Sequence, residues 1–263
     1  MPLTGRPRRL FSWILTAGMF FGIVPAMAGE IPVAGGPCEL LISYRVKPEN
    51  RPAFRRFLLR EETARLENLR RDGILRSYQI LFNPFVTART WDAMAVLSFQ
   101  RYTDTRRWKE IERTAPGGLS PTGLRLATSI DTVSADLSWE GAAPGADTEK
   151  NSVFYVIPYE YNATDQYKKY VDDYVIPQTE GWLKEGVLSS YRIYMNRYPV
   201  GPAWDSLFVF QYRDLEAFGR REQIVAKVRE TLRADPAWKA LNDVKQTIRT
   251  ESENTIAERL TGQ

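Results

Sequence analysis

The fold is decided by the stretch Gly186-Val-Leu-Ser-Ser-Tyr-Arg-Ile-Tyr-Met-Asn196, which is followed at Trp204-Asp205 by an apolar run. An earlier copy of this stretch begins at Gly73, 113 residues upstream, and aligns with it without a gap. The matched pairs are Gly73 and Gly186, Leu75 and Leu188, Ser77 and Ser190, Tyr78 and Tyr191, Ile80 and Ile193, Asn83 and Asn196, Trp91 and Trp204, and Asp92 and Asp205. Each copy has the pattern of two strands joined by a turn, so the sequence predicts a duplicated hairpin.

The same order of elements surrounds the hairpin in both halves of the chain. Apolar residues at helical spacing, such as Phe54, Phe57 and Leu66, separate the segments that have strand patterns. The predicted order is strand, helix, hairpin, helix and strand, at 39–46, 48–71, 74–99, 103–113 and 126–139, and again at 153–159, 163–184, 186–212, 214–233 and 248–260. This order in tandem is typical of two ferredoxin-like repeats, at 38–140 and 151–263, joined by an Ala-, Gly- and Pro-rich linker at 141–150.

Each repeat leaves one apolar sheet face that its own helices do not cover. The residues expected on these faces are Leu41, Leu75 and Val96 in the first half and Phe154, Leu188 and Val209 in the second. Because such faces must be buried, the most economical partner for each is the other repeat. The predicted fold class is therefore α+β, with two tandem ferredoxin-like β-α-β-β-α-β repeats whose sheets pack face to face as an α/β barrel within one chain.

The N-terminal residues 1–28 have the pattern of an export signal. Arg6, Arg8 and Arg9 precede an apolar stretch at 10–25, and Ala-Met-Ala at 26–28 forms a small-x-small cleavage site. This predicts a periplasmic or secreted protein with an N-terminal lead at 29–37 and no stable membrane insertion after cleavage; the alternative is an uncleaved N-terminal anchor. Removing the three signal arginines lowers the formal net charge from +4 to +1, which argues against a nucleic-acid partner.

The composition excludes several kinds of site. The chain contains no histidine, which removes His-ligated haem, His-based zinc or copper sites and Ser-His or Cys-His nucleophile systems. Cys38 is the only cysteine, so no intrachain disulfide can form. We expect no metal site and no cofactor, and any chemistry must use Tyr, Arg, Lys, Asp, Glu, Asn or backbone groups.

The polar residues of the two hairpins are the leading candidates for a ligand-binding pocket. These candidates are Arg76, Tyr78, Gln79, Tyr191, Arg192 and Tyr194. A polar side chain on a strand buried on both faces needs a partner or lines a cavity. Arginine would clamp an anion and tyrosine would donate a hydrogen bond or transfer a proton. The alternative for Tyr78 and Tyr191 is packing, with hydroxyl groups that bond to the helix layer, and no catalytic residue is assigned.

Other polar residues have structural interpretations. The side chains of Asn83 and Asn196 are expected to form turns at the strand ends, and the Trp-Asp pairs at 91–92 and 204–205 to hold the hairpin return in place. Arg51 is predicted on the charged outer face of the first long helix, and Glu62 on a solvated face. The many tyrosines of the second half either line an amphipathic pocket or pack between helix and sheet or at a dimer surface.

Two further motifs carry a family resemblance. They are Ser-Tyr-Arg-Val-Lys-Pro at 43–48, before a Phe-containing helix, and Ala-Asp-Pro-Ala-Trp-Lys-Ala-Leu at 234–241, before the last strand. With them the chain, over roughly 38–260, resembles the dimeric α/β-barrel superfamily and, within it, NIPSNAP-like proteins. The resemblance implies relatives that include cofactor-independent oxygenases of aromatic substrates, polyketide cyclases and small-molecule isomerases. It also includes haem enzymes of the chlorite dismutase-like kind, whose His ligand this chain lacks.

These observations favour an exported barrel that binds a small apolar or aromatic molecule. A tailoring activity of oxygenase, cyclase or isomerase type would follow from the resemblance; the competing hypothesis is a non-catalytic envelope scaffold or interaction protein. The two differ in the barrel interior. An enzyme or binder requires an open internal cavity that holds Arg192 or Arg76 with tyrosine, whereas a purely structural barrel would be filled by Leu, Phe and Met. The sequence leaves open whether the protein is an enzyme and whether it forms a homo-oligomer.

Overall fold

The computed structural model describes residues 36–146, 151–198 and 204–261. The predicted export signal at 1–28 and residues 147–150 of the predicted linker lie outside the described residues. Within the described ranges, no helix combines the length and the apolar character needed to cross a membrane.

The first repeat follows the predicted order of elements. Its elements are β1 (Cys38–Val46), α1 (Arg51–Phe57), α2 (Thr63–Arg71), β2 (Ser77–Phe82), β3 (Ala93–Phe99), α3 (Thr105–Glu112), α4 (Pro121–Leu126) and β4 (Ala127–Ala142). A π-helical turn, Leu58–Glu62, joins α1 to α2, so these form one continuous helix. Gly73 ends that helix with a φ of 68°, a left-handed conformation that glycine adopts without a steric penalty.

The second repeat has the same order. Its elements are β5 (Val153–Tyr161), α5 (Thr164–Tyr170), α6 (Ile176–Lys184), β6 (Leu188–Asn196), β7 (Ser206–Tyr212), α7 (Leu215–Gly219), α8 (Arg221–Leu232), α9 (Pro236–Ile248), β8 (Arg249–Glu251) and β9 (Thr255–Leu260). A second π-helical turn, Val171–Val175, joins α5 to α6. The Asp235 side chain caps α9 by accepting the Ala237 amide at 2.8 Å. The final predicted strand is split into β8 and β9.

Eight strands close into a ring, which confirms the predicted α+β barrel. The sheet of the first repeat has the order β4-β1-β3-β2, and that of the second has the order β9-β5-β7-β6. Antiparallel pairing of β4 with β6 and of β2 with β9 then joins the two sheets at both edges. The barrel therefore closes through edge hydrogen bonds as well as through packing of the inner faces, and these eight strands leave no open sheet edge.

The core has three parts, one inside the barrel and one under the helices of each repeat. Leu41, Val96 and Val209 lie inside the barrel, as predicted, and so does Phe154. The same prediction was wrong for Leu75 and Leu188, which pack under the helices. Leu75 precedes β2, and a register shift between Leu188 and Ser190 turns Leu188 away from the interior. The remaining barrel-interior residues are Leu81, Met94, Ala135, Val156, Tyr194, Leu207 and Ala257.

Both hairpins are anchored by the same hydrogen bonds at their returns. The Asp92 amide donates to the Tyr44 carbonyl at 2.9 Å, and the Asp205 amide donates to the Tyr159 carbonyl at 2.9 Å. Each aspartate side chain also accepts a backbone N–H from the same neighbouring strand, at 2.7 Å for Asp92 and 3.0 Å for Asp205. The two asparagine side chains donate to Trp91 and Trp204 carbonyls at 3.3 and 3.0 Å. These contacts agree with the predicted structural roles of the Asn and Trp-Asp pairs.

Arg51 and Glu62 do not lie on solvated faces, so their predicted exposure was wrong. Arg51 is buried, forms an ion pair with Asp92 and lies 5.2 Å from the Phe82 ring centroid. Glu62 is buried as well and accepts two hydrogen bonds from Arg65, at 3.0 and 2.6 Å. Both exceptions arise because tertiary packing covers part of the face that helical periodicity assigns to solvent. The Arg51–Asp92 pair thus ties the first helix to the hairpin return.

We expect Asp92→Ala to destabilise the protein more than Asp205→Ala. Both substitutions remove a side-chain hydrogen bond to the backbone, which costs about 1–2 kcal/mol. Asp92→Ala additionally leaves Arg51 buried without its carboxylate, which raises the expected loss to about 3–5 kcal/mol. Urea denaturation of the two variants measures the difference, and equal losses would contradict a stabilising role for the buried ion pair.

Candidate functional site

The two seams that close the barrel differ in length, and a cavity opens at the shorter one. The β4–β6 seam runs from the Ala135–Asn196 pair to the Ala142–Ser190 pair. The β2–β9 seam contains only Ile80, Leu81 and Phe82 paired with Leu260, Arg259 and Glu258. The first part of β2, residues 77–79, therefore extends past the end of β9. A cavity of about 560 Å³ lies there and opens to solvent.

The cavity brings together four of the six residues predicted for a pocket. Its lining residues are Arg76, Ser77, Tyr78, Gln79, Ile80, Val96, Ser98, Arg192, Arg259, Leu260 and Thr261. They come from β2, β3, β6 and the end of β9, so both repeats contribute. The predicted ligand-binding role of Arg76, Tyr78, Gln79 and Arg192 stays a prediction, but these residues share one cavity.

Three guanidinium groups give the cavity a positive character. Arg76 stands just before β2, and its amide donates to the Ser98 carbonyl at 2.8 Å. Arg192 projects from β6, with its Nε 4.0 Å from a Glu140 carboxylate oxygen. Arg259 projects from β9, and its guanidinium lies 5.2 Å from the Phe154 ring centroid. Convergent arginines of this kind suit recognition of a carboxylate or another planar anion.

A buried amide network positions Arg259. The Gln211 side-chain carbonyl accepts a hydrogen bond from Arg259 Nη2 at 3.1 Å and another from Ser190 Oγ at 3.0 Å. The Gln211 amide nitrogen donates to the Ala146 carbonyl at 2.7 Å and to Ser152 Oγ at 2.9 Å. Because Gln211 is only 2% exposed and bonded at both ends, its carbonyl is held toward Arg259. The network therefore restricts the orientation of this arginine before any ligand binds.

A buried carboxyl group, Glu39, lies next to the cavity wall. Glu39 pairs across the sheet with Ser98, which in turn pairs with Ser77, so the three side chains share the inner face of the barrel. Glu39 is 5% exposed, and its Oε2 accepts the Leu137 amide at 3.3 Å. A register shift in β4 directly after Leu137 interrupts the regular pairing at this point.

The environment of Glu39 raises its pKa to about 7. Burial is the main cause, because removal from water disfavours the charged carboxylate. The Leu137 amide and the positive charges of Arg192 and Arg76 lower the pKa, whereas the Asp136 carboxylate raises it. The carboxyl of Glu39 therefore gains and loses its proton near neutral pH, which is the range that general acid–base chemistry requires.

Tyr194, another predicted site residue, lies deeper inside the barrel than the arginines. It is 2% exposed and pairs across the sheet with Leu137 and Leu207. Burial raises the pKa of its hydroxyl, while the charge of Arg192 and a hydrogen bond with it lower the pKa. Because burial dominates, Tyr194 keeps its proton at neutral pH and can act as a hydrogen-bond donor, not as a base.

Tyr191 lies outside the barrel, away from the cavity. Its hydroxyl donates to Glu180 Oε1 at 2.8 Å in the helix layer, and its ring lies against Gly141. Tyr78 borders the cavity, but its hydroxyl donates outward to the Thr63 carbonyl at 3.2 Å. Both contacts match the packing interpretation of these two tyrosines.

The tyrosine-rich helix of the second repeat also packs against its own sheet. Tyr161, Tyr167, Tyr170 and Tyr174 form a row of ring contacts that ends on Trp238, with centroid distances of 4.3, 5.9, 5.2 and 4.7 Å. Three of the four tyrosines are buried in the hydrophobic cluster beneath the helices, and Tyr161 packs against it. These rings therefore belong to helix–sheet packing and do not line the cavity.

Sequence reasoning missed Glu39, Ser98 and Arg259. Each of the three is a polar residue on the inner face of a strand whose other inward-facing residues are mostly apolar. That contrast is the signal by which each could have been recognised. For Arg259 the signal was hidden, because the final strand was predicted from residue 248 and its inner face was not assigned. For Glu39 it was overlooked at the start of an apolar strand.

The residues present do not fit a haem group held by histidine or by a cysteine thiolate. The chain has no histidine to ligate the iron. The only thiol, Cys38, is buried with its Sγ 3.4 Å from Ser134 Oγ, and burial raises its pKa, which disfavours the thiolate needed as a ligand. Among the described residues, no group of three or more Cys, Asp or Glu side chains is arranged to hold a metal ion.

Comparisons with known proteins identify the fold. The sequence matches no known family and no curated protein. Among solved structures, an anthrone oxidase-like protein is 12% identical over 90% of this chain and 95% of its own, with a TM-score of 0.53. A provisionally assigned monooxygenase from Lactobacillus acidophilus NCFM is 13% identical over 86% of this chain and 95% of its own, with a TM-score of 0.50.

A third similar structure is a mutant chlorite dismutase from Candidatus Nitrospira defluvii in complex with cyanide. It is 12% identical over 86% of this chain and 92% of its own, with a TM-score of 0.51. At these identities the likeness concerns the fold alone. The chain has the dimeric α+β-barrel fold built from ferredoxin-like units.

We expect Glu39→Gln to stabilise the protein at alkaline pH. Because the pKa of Glu39 is about 7 in the folded state and 4.5 as its ordinary value, the native state holds this proton more tightly. The wild-type protein therefore loses stability as the pH rises from about 4.5 to about 7, by up to about 3 kcal/mol. Glutamine removes this loss. Chemical denaturation at pH 8 should show the gain, and at pH 4.5 the gain should largely disappear.

The matched control is Glu140→Gln, which removes a carboxylate on the same side of the barrel whose side chain is 63% exposed. We expect only a small change in stability at either pH, because exposed ion pairs contribute little. A pH-independent effect of Glu39→Gln would contradict the elevated pKa.

Proposed function

We propose that the protein binds a small organic anion with an aromatic or apolar body in the cavity at the β2–β9 seam. The observation that carries this proposal is the convergence of Arg76, Arg192 and Arg259 around a cavity of about 560 Å³. The volume falls within the range of about 300–1,000 Å³ that small-molecule sites occupy. Ile80, Val96 and Leu260 supply apolar wall, so a ligand with both an anionic group and an apolar part fits best.

Arginine geometry favours a carboxylate or enolate as the anionic group. A guanidinium can donate two parallel hydrogen bonds to such a planar group. Because Arg259 is oriented by Gln211 and Phe154, less side-chain freedom is lost on binding. Gln79 and Ser98 add neutral donors and acceptors that can select the remaining polar groups of the ligand.

The proposal extends to a tailoring enzyme of oxygenase, cyclase or isomerase type, NIPSNAP-like and exported through residues 1–28. The name of the anthrone oxidase-like protein supports an aromatic ligand, and that of the provisionally assigned monooxygenase supports an oxygenase activity. The motifs at 43–48 and 234–241 support the NIPSNAP-like assignment, and the signal pattern supports the periplasm or secretion.

The competing function, a non-catalytic scaffold, is favoured by the filled middle of the barrel. Leu41, Leu81 and Val156 and their neighbours close off the interior there, as expected of a structural barrel. The open end with Arg76 and Arg192 has the features expected of a binder. We favour binding because burying the Glu39 carboxyl costs stability, which a scaffold would not need.

We expect Arg192→Ala and Arg259→Ala each to weaken ligand binding by about tenfold or more, because each loses a charge-assisted hydrogen bond worth about 1.5–3 kcal/mol. The measurement is isothermal titration calorimetry with benzoate, phenylacetate and phenylpyruvate as probes. Tyr191→Phe is the control, since Tyr191 lies outside the barrel. This variant should bind each probe with the same affinity as the wild type. If none of the probes binds, or if both arginine variants bind as tightly as the wild type, the proposal fails.

A further inference from the structure

Binding of an anion explains the arginines of the cavity but not the carboxyl group beside them. Glu39 has the same charge sign as the proposed ligand, so as a carboxylate it would oppose binding. The equivalent residue of the second repeat is Phe154, because Glu39 pairs with Ala135 as Phe154 pairs with Ala257. The fold therefore accepts an apolar side chain at this position and does not require a carboxyl.

Glu39 stands beside the cavity wall, although it is not itself a lining residue. It lies one strand from Ser98, which lines the cavity, and neighbouring strands are about 5 Å apart. Arg192 and Arg76, which also line the cavity, are close enough for their charges to act on the Glu39 carboxyl. An anion held between those arginines would therefore lie near the Glu39 carboxyl.

We propose that Glu39 is a proton-transferring catalytic residue, and that the ligand class is an organic anion with an acidic C–H next to a carbonyl group. This inference rests on the proposed function, since it needs a ligand held by the arginines. It names a reaction type, tautomerisation or isomerisation by proton transfer, which needs neither an oxidant nor a metal.

The atoms and electrons balance without a further reactant. The Glu39 carboxylate removes the proton from carbon, so a C–H bond breaks and an O–H bond forms. The electron pair of the C–H bond moves to the carbonyl oxygen and forms an enolate, whose negative charge Arg192 stabilises. Glu39 then returns the proton to the oxygen or to another carbon of the same molecule, which regenerates the carboxylate.

The charged and titratable groups around Glu39 are consistent with this role. Arg192 and Tyr194 face it from β6, Arg76 from the start of β2 and Asp136 from β4. The two arginines favour the carboxylate, whereas burial and Asp136 favour the acid, and the pKa of about 7 results. Proton exchange should therefore accelerate as the pH rises through about 7, because the base form is the carboxylate.

The experiment measures deuterium exchange at the benzylic carbon of phenylpyruvate in D2O by proton NMR. Phenylpyruvate combines an aromatic ring, a carboxylate and a C–H next to a carbonyl. The wild-type protein should accelerate exchange above the buffer rate, and Glu39→Gln should lower that acceleration by about 10²-fold or more. Its affinity, measured by calorimetry, should not fall, since the arginines supply the binding and the lost carboxylate would oppose it. Glu39→Asp has a side chain that is shorter by one methylene, which places its carboxyl further from the bound ligand. Its exchange rate should lie between those of the wild type and Glu39→Gln.

The outcomes separate this inference from the proposed function. Exchange by Glu39→Gln at the wild-type rate, or binding of phenylpyruvate without accelerated exchange by the wild type, would overturn the role of Glu39 and leave the binding site intact. No binding by any probe would overturn the proposed function itself. Misfolding cannot imitate the expected result, because Glu39→Gln must still bind, and Tyr191→Phe controls for the substitution of a residue outside the cavity.

Discussion

The structure depends on the need to pair every edge of its two four-stranded sheets. A ferredoxin-like sheet exposes two unpaired edges and one apolar face. When β4 pairs with β6 and β9 pairs with β2, the edges are hydrogen-bonded and the apolar faces are buried. The two seams perform the same task with different lengths. Where β9 ends at Leu260, residues 77–79 of β2 stay paired with β3 but have no described partner in β9, and the cavity opens at this point. The cavity is thus a direct consequence of unequal closure.

The two repeats agree where the fold requires agreement and differ where the cavity lies. Both hairpin returns have the same contacts: the aspartate bonds to strand β1 or β5, and the asparagine side chain bonds to the tryptophan carbonyl of its own return. Inside the barrel, by contrast, equivalent positions carry different residues. Gln79 of the first repeat corresponds to Arg192 of the second in the sequence alignment, and Glu39 corresponds to Phe154 by strand pairing. Each repeat supplies a different part of the cavity lining, so this cavity is asymmetric although the two halves of the chain are similar.

The architecture was largely predictable from the sequence because it follows from repeated local patterns. The apolar periodicity around Phe54 and the turn glycine at 73 depend on neighbours within a few residues. The offset of 113 residues repeats such local patterns in the second half of the chain. The site was only partly predictable, because it depends on which strand ends first and where registers shift. The shift after Leu188 and the burial of Arg51 arise from tertiary contacts that period-2 and period-3.6 patterns do not contain. Arg76, Gln79 and Arg192 were found because they are polar residues on strands predicted to be buried on both faces, while Glu39 and Arg259 needed the pairing of β1 with β3 and of β9 with β2.

The energetics of Glu39 bear on whether the barrel is a scaffold. A buried carboxyl that ionises near neutral pH destabilises the folded state relative to an uncharged side chain, and Phe154 shows that an apolar residue fits the equivalent position. A protein selected only for stability would gain from replacing such a group. Arg192 and Arg76 act on Glu39 through their charge, and both also line the cavity. Apart from the hydrogen bond that it accepts from the Leu137 amide at the β4 register shift, the proposed chemistry on a bound ligand gives a reason for a carboxyl group that reduces stability beside an arginine-lined cavity.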